Sequence, residues 1–221
     1  MNAALFWDLD GTLLTTGRAG VFALEAALSD VAGVEHDLQQ LVTSGLTDAE
    51  VAAAALEAAG LDSDEERVVA FLRAYEAHLP ECLHRRRGHV MPGVRDLLED
   101  LEGHDDVRSF LLTGNTPAGA RAKLAHYELD RFFPDGAGAF CLGPGRRVEI
   151  AHRAAALADG AATRYVIGDT PQDIGCGKAI GARTIAVATG SYGADDLRRH
   201  DPWLVLDRIP DPAAFEELIV A

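Results

Sequence analysis

The stretch Asp8-Leu9-Asp10-Gly11-Thr12-Leu13-Leu14 decides how the rest of the chain is read. It follows Ala3-Ala4-Leu5-Phe6-Trp7, an apolar run with the length and β-propensity of a buried strand. A strand ending in Asp-x-Asp-Gly-Thr delivers two carboxylates at its carboxyl edge, where open α/β sheets bind ligands. Residues i and i+2 of a strand share a face, so both acids can address one site. Gly11 permits a turn immediately afterwards. Taken by themselves, the same residues also read as an acidic turn closing an edge strand.

Downstream, the chain changes character twice. Between about residues 15 and 85 no strand pattern is convincing, and three helices are expected. The first covers 19–31, with Val21, Leu24 and Leu28 on one face. The second follows Thr47, an N-cap with Glu50 three residues on, and runs over 51–59 to Gly60. The third starts near Ser63, paired with Glu66, and ends at Pro80. Arg85-Arg86-Arg87-Gly88-His89 reads as a solvated return linker rather than an anion-binding patch.

From Met91 onward strand and helix patterns alternate. Helices are expected over 94–101, 117–127, 148–158 and up to 179, and strands over 108–112, 139–142, 164–167, 184–188 and 203–206. Such alternation implies a parallel, doubly wound sheet. The fold class is therefore α/β, a Rossmann-like three-layer αβα core of residues 1–14 and 86–221. An all-helical cap, residues 15–85, is inserted after the first strand.

Composition bounds the function. With 221 residues, 48% hydrophobic and 25% charged, the chain can bury a sizeable core and has the balance of a soluble globular protein. No apolar run approaches the roughly 20 residues of a membrane span, and Asp8 and Asp10 interrupt any leader-like start, so a cytoplasmic protein without membrane contact is expected. Cys82, Cys141 and Cys176 form neither a disulfide framework nor a metal-ligand pair. The eight histidines are scattered without metal spacing. A net charge of −15 argues against a nucleic-acid partner but not against a small phosphorylated metabolite.

Three expected strands end in polar groups: Asp8 and Asp10, then Thr113-Gly114-Asn115, then Asp169 and Asp173. In a parallel sheet these ends lie on one edge. Four carboxylates crowded together repel unless a cation sits between them, and hard oxygen ligands suit Mg²⁺. Two other readings compete: Thr113 could cap the helix that Pro117 begins, and Asp173 could complement a helix dipole. Lys123 and Lys178 read as solvated faces.

The order and spacing of Asp8-Leu9-Asp10-Gly11-Thr12, Thr113 and Gly168-Asp169-Thr170-Pro171-Gln172-Asp173 resemble the motifs of the haloacid dehalogenase superfamily. Within it the chain is similar to the phosphoglycolate phosphatase and β-phosphoglucomutase group, which carries a helical cap after the first motif. The resemblance implies a Mg²⁺-dependent phosphatase acting on a small phosphorylated metabolite. Asp8 would be the nucleophile that forms an aspartyl-phosphate. Asp10 would be the general acid and base, its carbonyl also binding the metal. Thr113, Gly114 and Asn115 would hold the phosphoryl group. Asp169 would ligate Mg²⁺, and Asp173 would ligate it or orient a ligand. A phosphomutase and a catalytically weak ligand-binding member are the alternatives, although Asp10 is an acid that the dehalogenases lack.

Two departures from the family pattern stand out. Leu46 replaces an Arg common in the cap loop of relatives. No Lys lies between Lys123 and Lys178, where relatives carry a phosphate-neutralising lysine, so an arginine must act instead. Helical periodicity puts Arg147 on the apolar line of Ile150, Ala151 and Ala154, whereas Arg146 falls with Glu149 and Arg153. A cation on the buried stripe at a helix N-terminus calls for an anion, and Asp8 with the substrate phosphoryl is the candidate.

Overall fold

The computed structural model describes residues 2–220. Its sheet has six parallel strands: β1 (Ala3–Trp7), β4 (Val107–Leu112), β5 (Gly138–Ala139), β6 (Thr163–Gly168), β7 (Arg183–Val187) and β8 (Leu204–Leu206). Their order is β5-β4-β1-β6-β7-β8, so β1 lies inside the sheet, between β4 and β6. Trp7 is level with Leu111 on one side and Ile167 on the other. That register sets the ends of β1, β4 and β6 side by side.

β1 is buried along its whole length because both faces are covered. Ala4 and Phe6 pack with Phe110, Val166, Ile150, Ala154 and Cys176, under α6 (Arg147–Leu157) and α7 (Pro171–Ala179). Ala3, Leu5 and Trp7 point the other way. They meet Leu97 and Leu98 of α4 (Val94–Leu101), Leu124 of α5 (Pro117–His126) and Phe215 of α9 (Pro212–Val220). The period of two along the strand thus serves two hydrophobic layers at once. A short helix, α8 (Ala194–Arg198), precedes β8.

The cap consists of α1 (Ala19–Ala32), α2 (Asp48–Ala58) and α3 (Glu65–Arg85). The Thr47–Glu50 capping box forms as expected, with the Thr47 backbone N–H donating to Glu50 Oε2 at 2.8 Å. The third helix departs from expectation at both ends. Asp64, not Ser63, caps it by accepting from the Arg67 N–H at 2.9 Å. It also runs through Pro80 to Arg85. Pro80 lies on the exposed side, while Leu79 and Leu83 are fully buried, so packing carries the helix across a residue without an N–H.

Two strands missing from the sequence reading close the cap's neck. β2 (Leu14–Thr15) pairs antiparallel with β3 (His89–Val90), joining the chain's exit from the core to its return. Each is only two residues long, too short for any periodic signal. Gly88 makes the crossing possible, since a Cβ there would stand 2.0 Å from the Thr15 carbonyl oxygen.

Two glycines of α7 give a paired test of this packing. A Cβ on Gly177 would come within 2.1 Å of Thr184 Cγ2, on a stiff, buried β-branched side chain of β7, whereas Gly175 has open space. Helix propensity alone favours Ala at both by about 1 kcal/mol. Gly175→Ala should raise the midpoint of thermal or urea unfolding. Gly177→Ala should lower stability by about 1–3 kcal/mol through overpacking. Equal gains from both would contradict the α7–β7 contact.

Candidate active site

Asp8 leaves the end of β1 with its backbone N–H donating to the Ile167 carbonyl at 2.9 Å, which aims its side chain between the neighbouring strand ends. The chain then turns tightly. Gly11, at φ 91°, donates to the Leu14 carbonyl at 2.8 Å, and Leu13 and Leu14 both donate back to Leu9. Thr12 is carried under the site, where its Oγ1 donates to Asp169 Oδ1 at 3.1 Å. Glycine is required here for space as well as for φ. A Cβ on Gly11 would lie 2.5 Å from Asp169 Oδ2, and one on Gly190 only 1.8 Å from it.

Asp8, Asp169 and Asp173 are all buried, and their carboxylates offer oxygens within 4.8 Å of one another. Arg147, the first residue of α6, stands among them. Its Nη2 donates to Asp8 Oδ1 at 2.7 Å and to Asp173 Oδ1 at 2.6 Å. The anion called for by the buried cation is therefore Asp8 together with Asp173, while Arg146 is exposed. Asp173 also closes a capping box, with Oδ2 accepting from the Thr170 N–H at 3.0 Å and hydroxyl at 2.7 Å. Capping the helix and facing the site are not alternatives here; Asp173 does both.

Burial dominates the protonation of this cluster. It pushes Asp8 up to about 7 against the pull of Arg147, with Asp173 and Asp10 adding repulsion. Asp169 rises to about 8, first through burial and then through the charges of Asp8 and Asp173. For Arg147 burial opposes the charge, but Asp173 and Asp8 outweigh it and keep the guanidinium protonated. Three hard-oxygen carboxylates share one guanidinium, and Asp169 sits in a cradle that any Cβ on Gly11 or Gly190 would fill. This set of donors fits a small divalent cation.

At the end of β4, Thr113 is fully buried and does not cap α5; that role belongs to Thr116, whose hydroxyl accepts from the Gly119 N–H at 3.1 Å. Thr113 Oγ1 instead accepts twice from Asn115, from Nδ2 at 2.8 Å and from the backbone N–H at 3.3 Å. The Asn115 Nδ2 also donates to Asp10 Oδ2 at 2.8 Å. Gly114 brings the chain close to the cap, where a Cβ would lie 2.6 Å from the Leu46 carbonyl oxygen and 3.2 Å from Arg147 Nη1.

Lys123 corrects the sequence reading. It is not on a solvated face: it is 5% exposed, and its Nζ donates to Asp10 Oδ2 at 2.6 Å and to Asn115 Oδ1 at 2.5 Å. The available signal was its spacing from Gly119, Ala120 and Leu124, which together form the buried face of α5. Lys178, by contrast, lies on an exposed stretch and reaches the His200 carbonyl at 2.7 Å.

Asp48 closes the cap loop Ser44-Gly45-Leu46-Thr47-Asp48, the loop in which Leu46 replaces the usual Arg, and it too reaches the strand ends. The first residue of α2, it donates its N–H to the Gly114 carbonyl at 2.7 Å and accepts from the Thr116 N–H through Oδ2, also at 2.7 Å. Burial raises its carboxyl to about 6, with Lys123 pulling the other way. Ser44 Oγ and Ser191 Oγ meet at 2.8 Å across the same seam. Between cap and strand ends lies a cavity of about 500 Å³. Asp8, Asp10, Asn115, Lys123, Arg147 and Asp169 line its floor, and Val21, Leu24, Leu46, Val51, Leu72 and Tyr75 line the cap side. Among the described residues no helix is long and apolar enough to cross a membrane.

Residues 5–178 match the haloacid dehalogenase-like hydrolase family, and residues 147–212 match a second hydrolase-like family. The chain is 31% identical over 211 residues to "Probable phosphatase IndB" of Dickeya dadantii (strain 3937), covering 94% of this chain and 90% of that protein. Its fold is similar to CbbY from Rhodobacter sphaeroides in complex with phosphate, with TM-score 0.73, 19% identity and coverage of 94% and 95% of the two chains. A hydrolase from Pseudomonas syringae matches with TM-score 0.72 and 19% identity, covering 100% of this chain and 98% of that one. Strand order, acidic cluster and sequence match converge, and the chain belongs to the haloacid dehalogenase-like hydrolase family.

Proposed function

We propose that the protein is a Mg²⁺-dependent phosphomonoesterase that hydrolyses a small phosphorylated metabolite through an aspartyl-phosphate on Asp8. The observation that carries this reading is the Arg147 guanidinium on Asp8 Oδ1 at 2.7 Å, at the floor of a cavity of about 500 Å³ between cap and core. That volume suits a small ligand. The similarity to a probable phosphatase supports the same reaction class.

The chemistry follows from the placement of each group. An Asp8 carboxylate oxygen attacks phosphorus, and the bond from phosphorus to the leaving oxygen breaks with its electron pair. Asp10 gives that oxygen a proton. Asp10 then takes a proton from a water, whose oxygen attacks phosphorus and releases phosphate from Asp8. Arg147, fixed by its Nη2 contacts to Asp8 and Asp173, balances charge on Asp8 and, through its positive charge, on the transferring group. Thr113 has both acceptor contacts filled by Asn115, so its hydroxyl hydrogen is left to donate to the phosphoryl group. Asp8, Asp169 and the Asp10 carbonyl would hold Mg²⁺, with Asp173 orienting the set, and the metal when bound supplies charge neutralisation for phosphate. Residues 15–85 act as the cap that excludes water, and residues 1–14 and 86–221 form the catalytic core.

Turnover of phosphomonoesters should vanish in Asp8→Asn, because an amide is a poor nucleophile. Deamidation must be excluded by mass spectrometry, and near-native rates in the intact variant would end the assignment. Arg147→Ala should lower kcat/KM by about a hundredfold or more, the scale for losing a fixed charge contact in the transition state, while Arg146→Ala changes little. Small, equal effects would remove Arg147 from the reaction.

Stability offers a test independent of turnover. The folded-state values of about 7 for Asp8 and about 8 for Asp169 lie above the ordinary 3.8, so the folded protein binds more protons than the unfolded chain. Their contribution is fully present below pH about 4 and is lost as pH rises through about 8. The Tm of the metal-free protein should therefore fall across that window. Mg²⁺ should raise Tm through binding linkage, more at pH 8 than at pH 5. Asp169→Ala should weaken the pH trend and abolish the Mg²⁺ response; an unchanged Mg²⁺ shift in that variant would refute the metal assignment.

A further inference from the structure

We infer that Lys123 is a positioning residue for the proton-transfer steps, holding the Asp10 carboxylate by Oδ2 so that Oδ1 is the oxygen that exchanges a proton. The inference rests on the role proposed for Asp10. Two donors converge on Oδ2, Lys123 Nζ at 2.6 Å and Asn115 Nδ2 at 2.8 Å. Among the described residues no hydrogen bond reaches Oδ1, and Asp10 lines the cavity with its side chain 41% exposed. Asn115 is itself fixed from behind, by Lys123 Nζ on its Oδ1 at 2.5 Å and by its own Nδ2 on Thr113 Oγ1 at 2.8 Å. The carboxylate is therefore gripped on one oxygen by a closed triangle of side chains and free on the other.

Packing by itself gives no reason for a lysine at this position. Its companions on the buried face of α5 are Gly119, Ala120 and Leu124, among which an apolar side chain would sit without the desolvation penalty of a buried ammonium. The charge is spent instead on a carboxylate that opens onto the cavity. A proton cannot sit on Oδ2 without losing one of two charge-assisted or directed bonds, so transfer is confined to Oδ1. In the first step the proton moves from Oδ1 to the ester oxygen as the bond to phosphorus breaks. In the second it moves from water to Oδ1 as the water oxygen attacks phosphorus. A carboxylate free to rotate would present either oxygen, at variable distance from the leaving group.

The test compares kcat/KM for p-nitrophenyl phosphate, whose leaving group hardly needs a proton, with that for an alkyl phosphate, whose alkoxide does. It is run with Mg²⁺ on the wild-type chain, Lys123→Met and Asp10→Asn. General acid catalysis contributes about 10²–10⁴-fold, so misplacing the acid in Lys123→Met should lower the alkyl phosphate value by about tenfold to a hundredfold more than the p-nitrophenyl phosphate value. Asp10→Asn should show the same selectivity at larger scale. Equal losses on both substrates in Lys123→Met, or none, overturn the inference. If Asp10→Asn is selective when Lys123→Met is not, the proposed reaction stands and only the lysine's role falls. If Asp10→Asn is itself indifferent to the leaving group, the acid assignment fails and the inference with it. Should Lys123→Met not fold by circular dichroism, Lys123→Gln, which keeps donors but no charge, is judged by the same ratio.

Discussion

Crowding of buried carboxylates at one edge of a parallel sheet is the constraint on which the rest of this structure depends. Asp8, Asp169 and Asp173 would repel one another out of the fold if nothing opposed them. Arg147 opposes them from within, bridging Asp8 and Asp173 through a single nitrogen. One guanidinium among three acids leaves the cluster short of positive charge, and burial accordingly favours protonated Asp8 and Asp169. A site in this condition suits a cation, and under the proposed function that cation and Arg147 together offset the charge of a phosphoryl group. The electrostatic tension and the proposed chemistry are the same fact seen from two sides.

The surrounding architecture keeps that tension in place. β1 is locked between β4 and β6, so the Asp8 backbone cannot retreat. Gly11 and Gly190 let neighbouring backbone close around Asp169 where any Cβ would collide. Above the floor, Asp48 ties the N-terminus of a cap helix to both sides of the Gly114–Thr116 turn. That turn also carries Asn115, which grips Asp10. Seating of the cap and orientation of Asp10 thus meet in one short segment, within the four residues that connect β4 to α5.

What the sequence made legible was local. The ends of β1, β4 and β6, the Thr47–Glu50 box and the helix of residues 94–101 follow from period and capping chemistry that a few neighbours decide, whereas the strand expected over 139–142 is only the two residues of β5, Gly138–Ala139. Arg147 was legible for the same reason, because its line along α6 runs with Ile150, Ala151 and Ala154. Lys123 was not, because its partner Asp10 lies 113 residues away and its near neighbours Arg121 and Glu128 suggest solvent. Pro80 misled because a proline ends a helix only when nothing else sustains it, and Leu79 and Leu83 sustain this one. α8 and α9 passed unnoticed: the first is a single turn, and the second begins among Pro210, Asp211 and Pro212, which read as loop. The overlap of functions at Asp173, at once helix cap and partner of Arg147, also lies beyond sequence, which offered the two as rivals.

The central claim is that phosphate passes through Asp8. It is tested most directly by mixing the Mg²⁺-loaded protein with a turned-over phosphomonoester and quenching in acid within a turnover. Any acyl phosphate is then reduced with borohydride, and the peptides are mapped by mass spectrometry. The account predicts that the reduced residue, homoserine in place of aspartate, appears at position 8 and at no other acid. Product release in a single turnover with no trapped residue, or with trapping at Asp10, Asp169 or Asp173, would contradict it.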